Sequence, residues 1–294
     1  EALSAEFASW EFPLNFIDFE TSQPAIPFTS GMHPYEGIAF QFSHHILCED
    51  GRIEHANEYL NAVPGVFPNF DFLRQLMQSL DQNTGTIFRY SNHENTYLNK
   101  IVDQLKNTSD DIASDREELI EFAQSITHGR IGEARPAGKR DMVDLWKLVK
   151  RYYYDPATNG SNSIKAVLPA ILNSSEYLQQ KYSHPIYGAE IVSLNFKPKA
   201  WIELEPDGKT VKDPYSLLGK LFVDIDYVDI AKGNLFSDSD ELKDGGAAMM
   251  AYSRLQFTEM TSYEREELEK SLLKYCELDT LAMVMIYEGW RELL

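Results

Sequence analysis

A chain of 294 residues with 43% hydrophobic and 12% aromatic side chains can bury a large core, which excludes disorder as its dominant state. Its 46 acidic residues against 27 basic ones leave a net charge of −19, which opposes nonspecific binding to long duplex DNA unless metal ions or a local basic patch compensate. Cys48 and Cys276 are too few for a disulfide framework and offer no zinc spacing, no apolar run reaches the roughly 18 residues of a membrane span, and no basic-then-apolar signal opens the chain. We therefore expect a cytoplasmic protein with reduced thiols and, since the chain begins at Glu1, a piece of a longer protein.

Pro13 to Phe19 is an apolar run ending in an acidic pair and predicts a buried strand that stops before Pro24 and Pro27. Ile38–Leu47 alternates as a second strand, and Arg52–Asn57 follows as its hairpin partner across the turn Glu49-Asp50-Gly51. Phe70–Leu80 has helical spacing. Thr86–Arg89 is a short strand leading into Ser91-Asn92, an expected cap for a helix running to about Leu105. A helix at Arg116–Ile126 lies between two loops, and a short strand at Met142–Leu145 continues as a helix toward Tyr154. Gly160 to Ser163 forms a turn capping a helix at Ile164–Leu172. The stretch 185–240 is weakly patterned, with short strand candidates at Ala200–Leu204 and Leu221–Ile225, an Asp207-Gly208 turn, and the character of an insertion. Ser262–Arg291 is strongly periodic and predicts a long last helix capped at Ser262, with Glu264, Glu266 and Glu267 suited to its first turn. These elements predict one α/β domain over 1–294, a mixed sheet flanked by helices with an insertion before the last helix.

Three acidic elements stand out. Asp18 and Glu20, at i and i+2 of a strand, project from one face while Phe19 points to the other. Two acids aimed at one point repel unless a hard cation joins them, and oxygen donors of this kind select magnesium or manganese over zinc; a solvated strand end is the alternative. Tyr275 and Asp279, at i and i+4 of the last helix, present a phenol and a carboxylate together, either at a site or as a buried hydrogen-bonded pair. Glu94 sits where a strand gives way to a helix, the edge at which sites form in α/β sheets, unless it merely complements the helix dipole.

Taken together, Phe16-Ile17-Asp18-Phe19-Glu20-Thr21, Glu94 at a helix head and Tyr275-Cys276-Glu277-Leu278-Asp279 resemble the three motifs of the DnaQ-like, or DEDD, 3′–5′ exonuclease superfamily in its tyrosine form. More narrowly, Pro24-Ala25-Ile26-Pro27, Phe40-Gln41-Phe42-Ser43, Ser163 to Pro169 and Asp244 to Ala248 resemble an uncharacterised bacterial domain family of that superfamily, often fused behind a RecB-like nuclease region. In those relatives the second-motif acid is typically glutamate. The resemblance implies a ribonuclease H-like fold and two Mg²⁺ or Mn²⁺ ions held by Asp18, Glu20, Glu94 and Asp279. It also implies Tyr275 orienting the attacking water, Thr21 at the terminal nucleotide, and a nucleic-acid substrate that the acidic charge suggests is single-stranded or short.

Other residues admit two readings. Asp144 is an extra ligand or, as we favour, a supporting residue. Lys165, beside the Gly160–Ser163 turn, holds a phosphate or is simply solvated. His44 and His45, adjacent on a strand, face opposite ways and cannot share a metal, and His93 lies beside Glu94 without a required role. Arg130, Arg135, Lys139, Arg140, Lys147, Lys150 and Arg151 form the main basic stretch, which either tracks a nucleic-acid backbone next to Tyr152–Tyr154 or is a solvated face. The expected activity is metal-dependent 3′–5′ exonuclease; the alternatives are a catalytically silent nucleic-acid-binding or scaffolding module, and a phosphoesterase on short oligonucleotides.

Overall fold

Along β1 (Leu14–Ser22), successive side chains leave by opposite faces. Leu14 and Phe16 enter one apolar cluster while Ile17 and Phe19 enter a second on the other side of the sheet. Asp18 and Glu20 therefore share the face of Phe16, as the i, i+2 spacing predicts. In this computed structural model, which describes residues 2–130, 132–218 and 241–294, β2 (Ile38–Leu47) pairs antiparallel with β1, and β3 (Ile53–Leu60) pairs antiparallel with β2. The hairpin between them turns at Gly51, whose φ of 87° needs a residue without Cβ. Two short strands, β4 (Ile87–Arg89) and β5 (Val143–Asp144), run parallel to β1, and the five-stranded sheet has the order β3-β2-β1-β4-β5. Since β1, β4 and β5 point the same way, their carboxyl ends meet at one edge.

Helices cover both faces. On the Phe19 side lie α2 (Asn69–Leu80), α3 (His93–Lys106) and α4 (Arg116–Ser125), which bury Phe72, Leu73, Leu98, Ile101 and Leu119. After a short α1 (Ala2–Ala8), the Phe16 side is completed by α5 (Leu145–Tyr152), α6 (Ile164–Ser174), α7 (Glu176–Tyr182) and the C-terminal helix. Before that helix, α8 (Glu241–Phe257) adds Ala248, Ala251, Tyr252 and Leu255 to a third cluster, with Tyr252 stacked on Phe40 at 3.9 Å. The last helix, α9 (Ser262–Glu292), lies across β1 and β2 and against α6. It approaches α6 so closely at Gly289 that a Cβ there would stand 2.5 Å from Ile171 Cγ2.

Most expected elements are present, and the departures have physical causes. Ala200–Leu204 is not a strand: only Leu204 makes an isolated bridge, to Val211, while Trp201 is fully buried. The second expected strand, Leu221–Ile225, lies outside the described residues. The described part of the expected insertion is no appendage, since Tyr187, Ile191, Trp201 and Val211 belong to the same core cluster as α9. Its backbone also covers the edge of β3, where His55 N–H donates to the Val192 carbonyl at 2.9 Å. The cap of α9 is Thr261 and not Ser262, with a reciprocal capping box to Glu264. Asn92 occupies the cap of α3 without a side-chain bond to it, because Ser91 before it takes a positive φ of 78° and sets the chain's entry. Helix α1 buries no residue and α7 is only seven residues long, while the buried face of α8 is built partly of the small residues Ala248 and Ala251, so their apolar patterns are weak in the sequence. Among the described residues no helix is long and apolar enough to cross a membrane.

Candidate metal centre

The carboxyl edge of β1, β4 and β5 collects the acids. Asp18 and Glu20 hang from β1, and the β1–β2 register shifts just beyond them, between Glu20 and Thr21, an irregularity that re-aims side chains at a strand end. Glu94 arrives from the first turn of α3 and is 1% exposed; Asp279 arrives from the middle of α9 and is 8% exposed. Asp18 is partly exposed, and the Glu20 side chain is buried.

These groups perturb one another. Burial holds the Asp18 carboxyl well above the usual range, reinforced by the charges of Asp279, Glu94 and Glu20 in that order. Glu20 is raised by burial and by Asp279, with Lys165 acting in the opposite sense. Glu94 is pushed up to about 8 by burial, against the pull of Arg89, with Asp144 and Asp279 adding to the rise. Carboxylates from three distant stretches of the chain thus crowd one place, which is unfavourable unless protons or cations neutralise them.

Around the acids the structure assembles a second set of groups. Tyr275 accepts a hydrogen bond from Lys165 Nζ at 2.6 Å, and that ammonium also lies 4.6 Å and 4.7 Å from the ring centroids of Tyr215 and Tyr275. Lys165 is held by α6, whose cap Ser163 accepts from the Lys165 backbone N–H. Tyr215 donates to Asp279 Oδ1. Thr21 Oγ1 and His93 Nε2 meet at 2.9 Å, joining the end of β1 to the head of α3. Cys276 Sγ lies 3.6 Å from the Asp18 carbonyl oxygen and 3.7 Å from Oδ2; burial and the surrounding acids push its thiol well above the usual range. Cys276 Sγ thus stands beside the Asp18 and Glu20 oxygens, of which Mg²⁺ and Mn²⁺ prefer the oxygens and a softer ion the sulfur.

Asp144 does not join the carboxylates directly. It caps α5 through the Lys147 N–H, accepts from the Ser91 N–H at 3.0 Å and faces the fully buried Arg89 at 3.4 Å. Arg89 in turn donates to the Ser91 carbonyl. This buried pair clamps the Ser91 turn that delivers Glu94, so Asp144 supports the site through Arg89 and Ser91.

Oxygens of Asp18 and Glu20 lie within 4.8 Å of each other, together with Cys276 Sγ. Glu94 Oε2 is buried without a hydrogen-bond partner among the described residues, a state that is costly unless something charged answers it. Hard oxygen donors, an orphaned carboxylate oxygen and mutual repulsion fit Mg²⁺ or Mn²⁺.

Of the expected residues, Asp18 and Glu20 bring oxygens within 4.8 Å of each other, Glu94, Asp279 and Lys165 lie near enough for their charges to act on them, Tyr275 meets Lys165, Thr21 meets His93, and Asp144 faces Arg89. Tyr215, Arg89 and Cys276 escaped the sequence reading. Tyr215 sits in the weakly patterned stretch, and Arg89 is a charge inside an apolar strand, a signal that could have marked it. The arginines of the basic stretch are largely engaged, while Lys139 and Lys147 are exposed. Arg130 pairs with Asp103 at 2.6 Å, Arg135 donates to Asn99 and to the Thr127 and His128 carbonyls, and Arg140 donates to the Leu80 and Gly85 carbonyls. Arg151 faces Glu6 at 3.8 Å and Lys150 covers Trp146. Of the aromatic run beside it, Tyr154 is strongly exposed, Tyr152 donates to Glu6, and Tyr153 packs near Trp290. His44 and His45 do face opposite ways, His44 toward Asn15 and Ser79, His45 toward Thr280 and Tyr187.

Fold and site together define an α/β protein with a buried carboxylate cluster at the carboxyl edge of a mixed sheet. The chain belongs to the family described as Domain of unknown function (DUF2779), whose model matches residues 15–163. That span contains Asp18, Glu20, Thr21, Glu94 and Asp144, while Lys165, Tyr215, Tyr275 and Asp279 lie beyond it. No curated protein and no solved structure matches the chain.

Proposed function

We propose that this chain is a metal-dependent 3′–5′ exonuclease domain with a ribonuclease H-like core, acting on single-stranded or short DNA or RNA. The observation that carries the reading is the convergence of Asp18, Glu20, Glu94 and Asp279 at one sheet edge, where burial and mutual repulsion leave a Glu94 oxygen unanswered. The strand order β3-β2-β1-β4-β5 with only β2 antiparallel to β1 among β1's neighbours is the one a ribonuclease H-like sheet has, and it supports the same reading.

The four carboxylates would hold two Mg²⁺ or Mn²⁺ ions. Such a pair supplies a hydroxide nucleophile and charge stabilisation at the scissile phosphate and leaving oxygen. The chain's own residues account for positioning. The Tyr275 hydroxyl accepts from Lys165 Nζ, which fixes its position beside the acids; an ordinary phenol, with a pKa near 10, orients a water better than it deprotonates one. Lys165 brings a positive charge to a cluster of acids, where a substrate phosphate needs it. Tyr215 fixes Asp279, and Thr21, held by His93, would contact the terminal nucleotide. A preference for short substrate follows from the −19 charge and from the internal pairing of the arginines of the basic stretch, which together disfavour long polyanions.

Digestion of 5′-labelled single-stranded DNA and RNA with Mn²⁺, alongside Asp18→Ala, tests the proposal. Shortening from the 3′ end by the native protein, lost in the variant, is expected; equal activity in both, or none in either, refutes it. Dinucleotides cleaved while longer strands survive would turn the reading to a phosphoesterase on short oligonucleotides.

A further inference from the structure

A second polar cluster lies where β3, the 187–195 segment and α9 meet. His55 Nδ1, a Glu58 oxygen and a Glu277 oxygen all stand within 4.8 Å of one another. His55 and Glu277 are buried, and Glu58 is partly so. Asn195 Nδ2 donates to both carboxylates, at 2.5 Å to Glu58 and 2.8 Å to Glu277, and so draws two like charges together.

The protons of this cluster can be traced. The Tyr187 and Ser193 hydroxyls both donate to Glu277 Oε1 at 2.5 Å. Tyr187 oxygen must then accept from His45 Nε2 at 3.0 Å. With the one proton of the His45 ring on Nε2, Nδ1 is the acceptor and Thr280 Oγ1 donates to it at 2.7 Å. With that proton committed, Thr280 accepts from Ser43 Oγ at 2.7 Å, and Ser43 accepts from His55 Nε2 at 2.9 Å. The chain ends on His55 with the proton on Nε2. His55 Nδ1 lies 3.2 Å from Glu277 Oε2, near enough for an ion pair yet without hydrogen-bond geometry to any described residue; with the ring's one proton on Nε2, Nδ1 turns a lone pair to that carboxylate. A nitrogen lone pair facing two carboxylates needs a cation between them. A histidine whose remote N–H is pinned by a second group is how metal-ligating imidazoles are commonly held.

We propose that His55, Glu58 and Glu277 form a separate site for a divalent transition ion of the zinc type, which ties edge strand β3 to α9. One imidazole nitrogen with two carboxylate oxygens suits such an ion better than Mg²⁺, and its charge balances the two carboxylates. The site shares no ligand with the Asp18 centre, so it stands or falls independently of the nuclease reading. The rival is an imidazolium, with a proton where the ion would sit.

The test uses Asp18→Asn/Glu20→Gln protein, stripped with EDTA, dialysed against Zn²⁺ and analysed for bound metal, melting temperature and the zinc X-ray absorption edge. Retained zinc with nitrogen and oxygen but no sulfur ligands, and a melting temperature that rises with Zn²⁺, is expected. Adding His55→Gln or Glu58→Gln abolishes retention, and Ser43→Ala weakens it by about tenfold, the low end for loss of a group orienting a ligand. The partly exposed Glu58 keeps the test valid should His55→Gln fail to fold. No zinc retained by the folded parent, retention unchanged by Glu58→Gln, or sulfur coordination overturns the proposal.

Discussion

Glu94→Gln should reverse a stability penalty that grows with pH in the metal-free protein. The carboxyl of Glu94 is pushed from 4.5 to about 8, chiefly by burial. A raised carboxyl pKa means that the native state binds the proton more tightly than the unfolded chain. Its contribution is therefore fully present below about 4.5 and is lost as pH rises through the window to about 8. Between pH 5 and pH 7 the unfolded state ionises while the native state mostly does not. Integrating the proton difference over those two units gives a loss of roughly 2 to 3 kcal/mol from this one group. Glutamine has no such titration, and any packing or hydrogen-bond cost it introduces is the same at both pH values, so it cancels in the comparison. At about 2–4 °C per kcal/mol for a chain of this size, the melting-temperature gap between variant and native protein should move by about 5–10 °C in the variant's favour from pH 5 to pH 7 in EDTA. Adding Mn²⁺ should stabilise the native protein and close the gap. Thermal unfolding by circular dichroism at a series of pH values reads this directly. A gap that does not change with pH, or that moves against the variant, would show that Glu94 is not held in the crowded, buried state described above.

Two further outcomes follow from the same geometry. Tyr275→Phe removes only the hydroxyl that Lys165 meets at 2.6 Å; melting should shift little, while turnover of labelled oligonucleotide in Mn²⁺ should fall about 100-fold or more with KM nearly unchanged, the range for a lost positioning or proton-transfer group. Arg89→Met leaves Asp144 buried without the guanidinium that faces it at 3.4 Å; chemical denaturation should show a loss of about 3–5 kcal/mol, the cost of an uncompensated buried charge, and Asp144→Asn in the same chain should recover part of it.

The sequence by itself determined those features that depend on local spacing. Period-two alternation fixed which face of β1 carries Asp18 and Glu20 and turned His44 from His45, since consecutive strand residues must point to opposite sides. A 3.6-residue period put Tyr275 and Asp279 on one side of a long helix, and the apolar runs located β1, β2, β3, α2, α3 and α9 to within a few residues. Tertiary structure alone decided whether acids separated by more than 250 positions would meet, because that depends on the strand order and on α9 crossing the sheet. It alone decided that Tyr215 reaches Asp279, that Arg89 is consumed beneath the site, and that Arg130, Arg135 and Arg140 spend their charge on Asp103, Asn99 and backbone carbonyls. It also withdrew the strand expected at Ala200–Leu204: with no strand beside it among the described residues, the burial of Trp201 in the α9 core outweighed local β preference, which is itself a measure of packing context.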